Sequence, residues 1–294
     1  MTVGGRPIEI VVMDNGGDAD LAAQQARELI EVEGAEILFG TVSSGVTLGL
    51  QQLAAENEVV LMMGPSASGS LTVATNEEQQ RLLDVSFRAC RNGSQDAFAI
   101  GDWAIENVGE NWVIMAADYA FGQAVAGGYN YVFSLLGANF PMETVFAPLD
   151  TTDFTAYAQQ ILESEADGMI LIWAGSGTIT LMQQFEELGV FDEVPPLFAF
   201  SSTADLLGSP PAPGTVGVGI YHWSFPDNAV NDYLIAAHVA RHGTLPELFS
   251  ECGFATAQAI VYGVEAAVEA GSNAVDATYP ENLVPALEGL EWDG

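Results

Sequence analysis

At 294 residues the chain is long enough for one large core or two of about 100 to 150 residues each. Its 49% hydrophobic content and mean hydropathy of +0.23 exclude a disordered polymer. Forty Asp and Glu stand against six Arg and no Lys, a net charge of −34 whose field repels phosphate backbones and excludes nucleic acid as a partner.

Anionic lipid surfaces are disfavoured for the same reason, and a salt-rich habitat, where self-repulsion is screened, is compatible with such acidity. The longest apolar run, near the C-terminus, is interrupted by Glu265 and Glu269 and falls short of a membrane span.

From the N-terminus, residues 8–13 (IEIVVM) read as a buried strand, followed by a turn at 14–17. Asp18 or Asp20 then caps a helix through Glu33, with Leu21, Ala22, Ala26, Leu29 and Ile30 on one face. Asp14, Asp18 and Asp20 lack calcium-loop spacing and read as turn and cap residues. Residues 35–39 form the next strand.

Residues 40–72, GTVSSGVTLGLQQLAAENEVVLMMGPSASGSLT, organise the rest of the chain. They read as a strand end, a hydroxyl-bearing loop, a helix beginning near Gly45, a buried strand at 59–63 and a second loop of small residues at 64–70. This is the pattern of βαβ units in a parallel sheet, whose ligand crevices lie at the carboxyl ends of strands. Ser43 and Ser44 sit at the start of the helix, where free N–H groups and the dipole favour an anion without any basic side chain. A lone serine there equally serves as a cap, but the second loop, with Ser66, Ser68 and Ser70, presents the same chemistry beside the first.

Residues 75–83 are polar with no clear period, and 85–89 read as a short strand. Ser94 opens a helix to Val108. Further strands are expected at 111–116, 143–146, 168–172, 197–200 and 216–221, with helices from Gly122, Asp153 and Thr178 between the first four. Beyond Pro226 only helices remain, at 228–241, 254–270 and 280–288, and helices with no sheet of their own must cover another. The expected division is therefore one lobe from 1–92 with 226–294 and a second from 93–225, joined by a hinge with a cleft between them.

Other chemistry is thinly represented. Cys90 and Cys252 lie far apart with no spacing pattern and read as independent. His238 and His242 are one helical turn apart but lack a zincin glutamate and a third ligand, so a solvated helix face is favoured over a metal site. No cofactor fingerprint and no base beside a nucleophile are evident: Gly214, Gly217 and Gly219 precede a strand, and Ser66 and Ser68 are not in a G-x-S-x-G elbow. Trp103, Trp112 and Phe133 are expected in the core, while Trp173, Tyr221, His222 and Trp223, at a strand end or the chain crossing, divide evenly between ligand contact and packing.

Taken in order, GRPIEIVVMDNGGD, the G-x-x-S-S loop at 40–44, GPSASGSLT, FRACRNGSQ, ADYAFGQ, TTDFTAYAQQI and GVGIYHWSFPDN resemble the branched-chain amino-acid and amide binding proteins. These are the type I periplasmic solute-binding components of ABC transporters, and the resemblance spans nearly the whole chain. It implies an α/β protein of two Rossmann-like lobes that close on a small ligand, with no enzymatic activity, a membrane permease as partner, a monomeric state, and a periplasmic or extracellular, optionally lipid-anchored, location. A ligand-sensing receptor domain with the same clamp is the alternative.

Within the resemblance, Ser44 matches the family's carboxylate-binding serine, with Ser43 beside it, and Ala67 and Ser68 match the contacts of the second loop. Phe121 falls where many members carry Tyr in a D-x-x-Y-G motif, and Trp173 where another ligand-facing aromatic is common. Ser202, in Ser201-Ser202-Thr203, stands where amino-acid binders place an acidic residue for the α-ammonium, and Asp205 comes two or three positions too late. A buried ammonium without a carboxylate is costly, which favours a carboxylate or amide with an apolar or aromatic body. The family usually carries a strand and helix ahead of Gly5 and a strand beyond Trp292, and residues 1–5 hold no secretory leader, so truncation at both ends and unpaired strand edges are expected.

Overall fold

The computed structural model describes residues 2–199 and 215–292. The chain divides into two compact units, one of Met1–Ser66, Ser70–Arg91 and Asp227–Gly294, the other of Ala67–Gly69 and Asn92–Pro226.

The first unit opens with an antiparallel hairpin, β1 (Thr2–Val3) and β2 (Arg6–Pro7), which turns at Gly4 and Gly5. Their φ values of +56° and +86° are those a two-residue hairpin loop demands. Asp18 caps α1 (Ala19–Glu31), accepting from the Leu21 N–H at 2.8 Å. A parallel sheet follows in the order β3 (Ile37–Phe39), β4 (Val60–Met63), β5 (Ser86–Arg88), with α2 (Ser44–Glu56) and α3 (Glu77–Leu83) between its strands.

β4 is buried at every position and apolar on both faces, as a central parallel strand must be. Leu61 and Met63 pack with Leu38, Leu50 and Leu53 and with Ala22 and Ala26 of α1. Val60 and Met62 face the other way, onto the C-terminal helices that follow α9 (Ala229–His242). Ala259, Val264 and Ala267 of α10 (Leu248–Glu269) and Leu283 and Leu287 of α11 (Pro280–Leu287) cover them.

Three expectations are corrected in this unit. Residues 8–13 are not a strand: they join no ladder, and Ile10 and Val12 are 79% and 83% exposed. Apolar patterning reports side-chain preference, whereas a strand exists only where a neighbour answers its N–H and C=O groups. Among the described residues β3 pairs with β4 alone. Residues 75–83, polar and aperiodic, contain α3, which buries no side chain and is set by its cap, the Asn76 side chain accepting from the Gln79 N–H at 2.9 Å. Cys90 and Cys252 are not independent but form a disulfide, their Cα atoms 5.6 Å apart across 162 residues. That separation falls in the bridging range once α10 lies against the sheet, and spacing in sequence carries no trace of it.

The second unit holds a five-stranded parallel sheet in the order β10-β9-β8-β6-β7. These strands are β6 (Trp112–Ala117), β7 (Val145–Ala147), β8 (Gly168–Ile172), β9 (Pro196–Phe198) and β10 (Val216–Gly217). α4 (Gly93–Asn107) starts with a capping box in which Asn92 accepts from the Ser94 and Gln95 N–H groups and Gln95 accepts from that of Asn92.

Alternation along β6 divides the core. Val113, Met115 and Ala117 pack against Phe154, Ile161 of α6 (Thr155–Glu163), and Leu181 and Phe185 of α7 (Thr178–Glu187). Trp112, Ile114 and Ala116 pack against α4 and α5 (Ala120–Leu135), with Trp112 edge-on to Phe133 at 5.2 Å. Trp103, expected in the core, is instead 45% exposed, because α4 buries Ala97, Gly101 and Ala104 and turns Trp103 outward. The short helix α8 (Val190–Glu193) caps the end of α7.

Candidate functional site

β3 and β4 end side by side, with Phe39 opposite Met62, so the loops leaving their carboxyl ends are neighbours. The Gly64 N–H donates to the Gly40 carbonyl at 3.0 Å, and a Cβ on Gly64 would lie 3.3 Å from the Thr41 oxygen. The Gly40–Thr41 peptide is cis. Ser43 is the N-cap residue of α2, yet its side chain makes no cap bond, so the first-turn amides of the helix meet no capping hydroxyl from it. Ser44, at the first helical position, is fully buried.

Around this helix start four oxygens form one network. Thr41 Oγ1 lies 3.1 Å from the Ser43 carbonyl and 3.0 Å from Thr47 Oγ1, while Thr47 Oγ1 lies 3.0 Å from that carbonyl and 3.1 Å from Ser66 Oγ. The network carries no charged group. With the positive end of the α2 dipole beside it, the place favours an anionic or strongly accepting group.

In the second unit β7 lies on one side of β6 and β8 on the other, so successive crossovers leave β6 in opposite directions and the β6 and β8 ends form a topological switch point. Asp118 to Phe121 leave one strand there and Trp173 to Ser176 the other. The Tyr119 hydroxyl donates to the Ala174 carbonyl at 3.0 Å and joins the two. Burial pushes the Tyr119 phenol up to about 12, so it stays neutral. Its ring lies 5.7 Å from that of Phe121, and Trp173 stands edge-on to Phe154 at 5.4 Å. The glycine of the Asp118–Gly122 motif is explained by contact: a Cβ there would sit 1.9 Å from the Ala117 carbonyl oxygen.

The profile of a family described as periplasmic binding protein matches residues 1–294. The chain belongs to the periplasmic binding protein family. This binding protein is 23% identical over 300 residues to the Leu/Ile/Val-binding protein homolog 6 of Brucella melitensis, a match covering 99% of the chain and 72% of the relative. Its fold matches a periplasmic binding protein from Burkholderia mallei with a TM-score of 0.83 at 22% identity, over 99% of this chain and 74% of that one. A solute-binding protein of an ABC transporter from R. palustris, solved in complex with benzoate, matches with a TM-score of 0.79 at 20% identity, over 99% and 77%. The chain is thus an α/β protein of the periplasmic binding protein family.

The binding protein places the sequence-derived site residues in separate groups. Ser43 and Ser44 belong to the first unit, and Ala67, Ser68, Phe121 and Trp173 to the second. Ala67 and Phe121 share one core cluster, and the Ala67 carbonyl accepts from the Gly93 N–H at 3.0 Å. Trp173 lies in the cluster on the other face of the sheet, and its indole N–H donates to the Ser176 carbonyl at 2.9 Å, fixing its own loop. Ser202 and Asp205 lie outside the described residues. Sequence reasoning took Thr41 only as the start of the first loop and gave no role to Thr47 or Tyr119. Thr47, four residues after Ser43 and thus on the same helix face, was the available signal.

Two other places carry polar groups without making a site of this kind. His238 has both nitrogens engaged, Nδ1 with the Thr244 carbonyl at 2.8 Å and Nε2 with Ser250 Oγ at 3.0 Å, while its ring lies 4.7 Å from that of His242. A cavity of about 760 Å³ in the first unit is lined by Asn57, Glu58, Arg81, Asp84 and Tyr279. It opens at the amino ends of β4 and β5, opposite to the loops that leave β3 and β4.

Proposed function

We propose that this binding protein captures a small carboxylate, or a related amide, with an apolar or aromatic body, and delivers it to the permease of an ABC transporter. The observation that carries the reading is the uncharged cluster of hydroxyls around the start of α2, where Ser43 gives the first-turn amides no side-chain cap. Ser43 and Ser44, with Ala67 and Ser68 of the next loop, take the acidic end. Phe121 and Trp173, at the ends of β6 and β8, wall the body. Ser202 is assigned to the same site in place of an acidic partner for an ammonium, which sets an aromatic or aliphatic acid ahead of a plain α-amino acid.

The benzoate complex of the R. palustris neighbour supports the aromatic acid, whereas the name of the Brucella relative favours branched-chain α-amino acids, the class that titration with leucine tests. Closure of the two units on the ligand, favoured by contacts made only in the closed state, supplies the mechanism, and a single chain suffices for it. The disulfide supports an oxidising compartment, in keeping with a periplasmic or extracellular protein, whether free or lipid-anchored. Capture leaves the ligand unchanged.

Isothermal titration of benzoate and of leucine into the wild-type chain and Ser44→Ala tests the reading. Benzoate binds the wild type, and Ser44→Ala weakens it by about 1 to 3 kcal/mol through an unpaired acceptor. Equal affinity in both proteins removes Ser44 from the site, and tighter binding of leucine than of any aromatic acid overturns the preference.

A further inference from the structure

We infer that Thr47 is the positioning residue that holds the loops after β3 and β4 in binding register. The inference rests on the reading that these loops receive the ligand's acidic end. Thr47 lies in the second turn of α2 and is fully buried, as is Ser66 in the other loop. A hydroxyl offers one proton and two acceptor sites. Three oxygens, the Ser43 carbonyl, Thr41 Oγ1 and Ser66 Oγ, surround Thr47 Oγ1 at 3.0 to 3.1 Å, and its one proton is directed at the Ser43 carbonyl and Ser66 Oγ. Thr47 therefore has no proton left to give an anionic ligand and acts through the groups around it.

A threonine hydroxyl bonding back to the carbonyl four residues earlier is ordinary in a helix and needs no function. The other two contacts are not explained that way. Of the four oxygens in the network, Thr47 Oγ1 alone contacts all three others, and through it the start of α2 reaches Ser66. Without it, the Gly64 to Gly40 backbone bond still ties the strand ends, but Ser66 loses its hydroxyl anchor on α2. The γ-methyl restricts χ1 and keeps the hydroxyl aimed at both loops, a restraint serine lacks.

The test uses the whole chain, benzoate as probe and three proteins: wild type, Thr47→Val, which keeps the shape and removes the hydroxyl, and Thr47→Ser, which restores it. Titration calorimetry is paired with hydrogen exchange of residues 41–46 and 64–68. Thr47→Val weakens benzoate about tenfold and speeds exchange in both loops while β6 and β8 exchange as before, and Thr47→Ser returns both readouts most of the way. Wild-type affinity and wild-type loop exchange in Thr47→Val overturn the inference, even if its melting temperature falls. If wild type takes up no benzoate, the reading of the ligand fails while the loop exchange still decides: faster exchange upholds the role of Thr47 and unchanged exchange ends it. Should Thr47→Val not melt cooperatively, Ser66→Ala cuts the same link from the other side and is judged by the same readouts.

Discussion

The Tyr119 hydroxyl and the Ala174 carbonyl, 3.0 Å apart, tie the loop leaving β6 to the loop leaving β8 at the point where the sheet's connections diverge. Tyr119→Phe keeps the ring against Phe121 and removes only that bond, leaving the carbonyl without its donor. A loss of about 1 kcal/mol in urea unfolding is expected. Because burial holds the folded phenol at about 12 against an ordinary 10.0, its contribution is complete below pH 10 and is lost as pH rises towards 12. Tyr119→Phe removes that alkaline dependence, and an unchanged slope would show that another group is responsible.

The Cys90–Cys252 bridge closes a loop of 162 residues and fastens the segment after β5 to α10. Reduction, or the double change Cys90→Ser with Cys252→Ser, is expected to lower stability by about 2 to 5 kcal/mol. Urea unfolding with and without dithiothreitol reads this directly, and two titratable thiols in the unreduced protein would refute the bridge.

Arg6 grips Glu36 with two bonds of 2.7 Å, and Thr278 Oγ1 donates to the same carboxylate at 2.8 Å. The bond from Arg6 chiefly, and that from Thr278, hold the Glu36 carboxyl below its ordinary 4.5. Its contribution is therefore present above pH 4.5 and is lost as the pH falls through the lower folded value. Both side chains are about a third exposed, so solvent screening limits the pair to about 1 kcal/mol or less. Melting temperatures between pH 3 and 7 should fall less steeply on acidification in Glu36→Gln than in wild type.

Residues 92–226 contain neither Arg nor Lys, and the whole chain carries −34. Adding salt shortens the reach of that repulsion, from about 10 Å at 0.1 M to about 3 Å at 1 M. The melting temperature is expected to rise over this range in sodium chloride, and a flat response would mean that the acidic side chains are spaced widely enough not to matter.

How much the sequence disclosed depends on the kind of interaction involved. GMILI at 168–172 is apolar on both faces between Asp167 and Trp173, and it is a strand over those residues. Residues 8–13 have a similar composition but no ladder partner among the described residues, and composition cannot reveal a missing ladder. α3 went unread because one asparagine cap, not an apolar stripe, defines it. At the site, Ser43 and Ser44 were legible as hydroxyls preceding a helix. The link from Thr47 to Ser66 arises only when β3 and β4 pair, and Tyr119 was overshadowed by Phe121, two residues on in the same motif.

The proposed site stands or falls with recognition of a carboxylate by hydroxyls and helix amides, without a basic side chain. Thermal melting of the wild-type chain with increasing benzoate, set beside benzyl alcohol at the same concentrations, separates the acid from its apolar body. Recognition of the acid predicts a melting temperature that climbs with benzoate as binding to the folded state requires, and stays flat with benzyl alcohol. Equal shifts with both compounds, or no shift with benzoate or any other small acid, would contradict it.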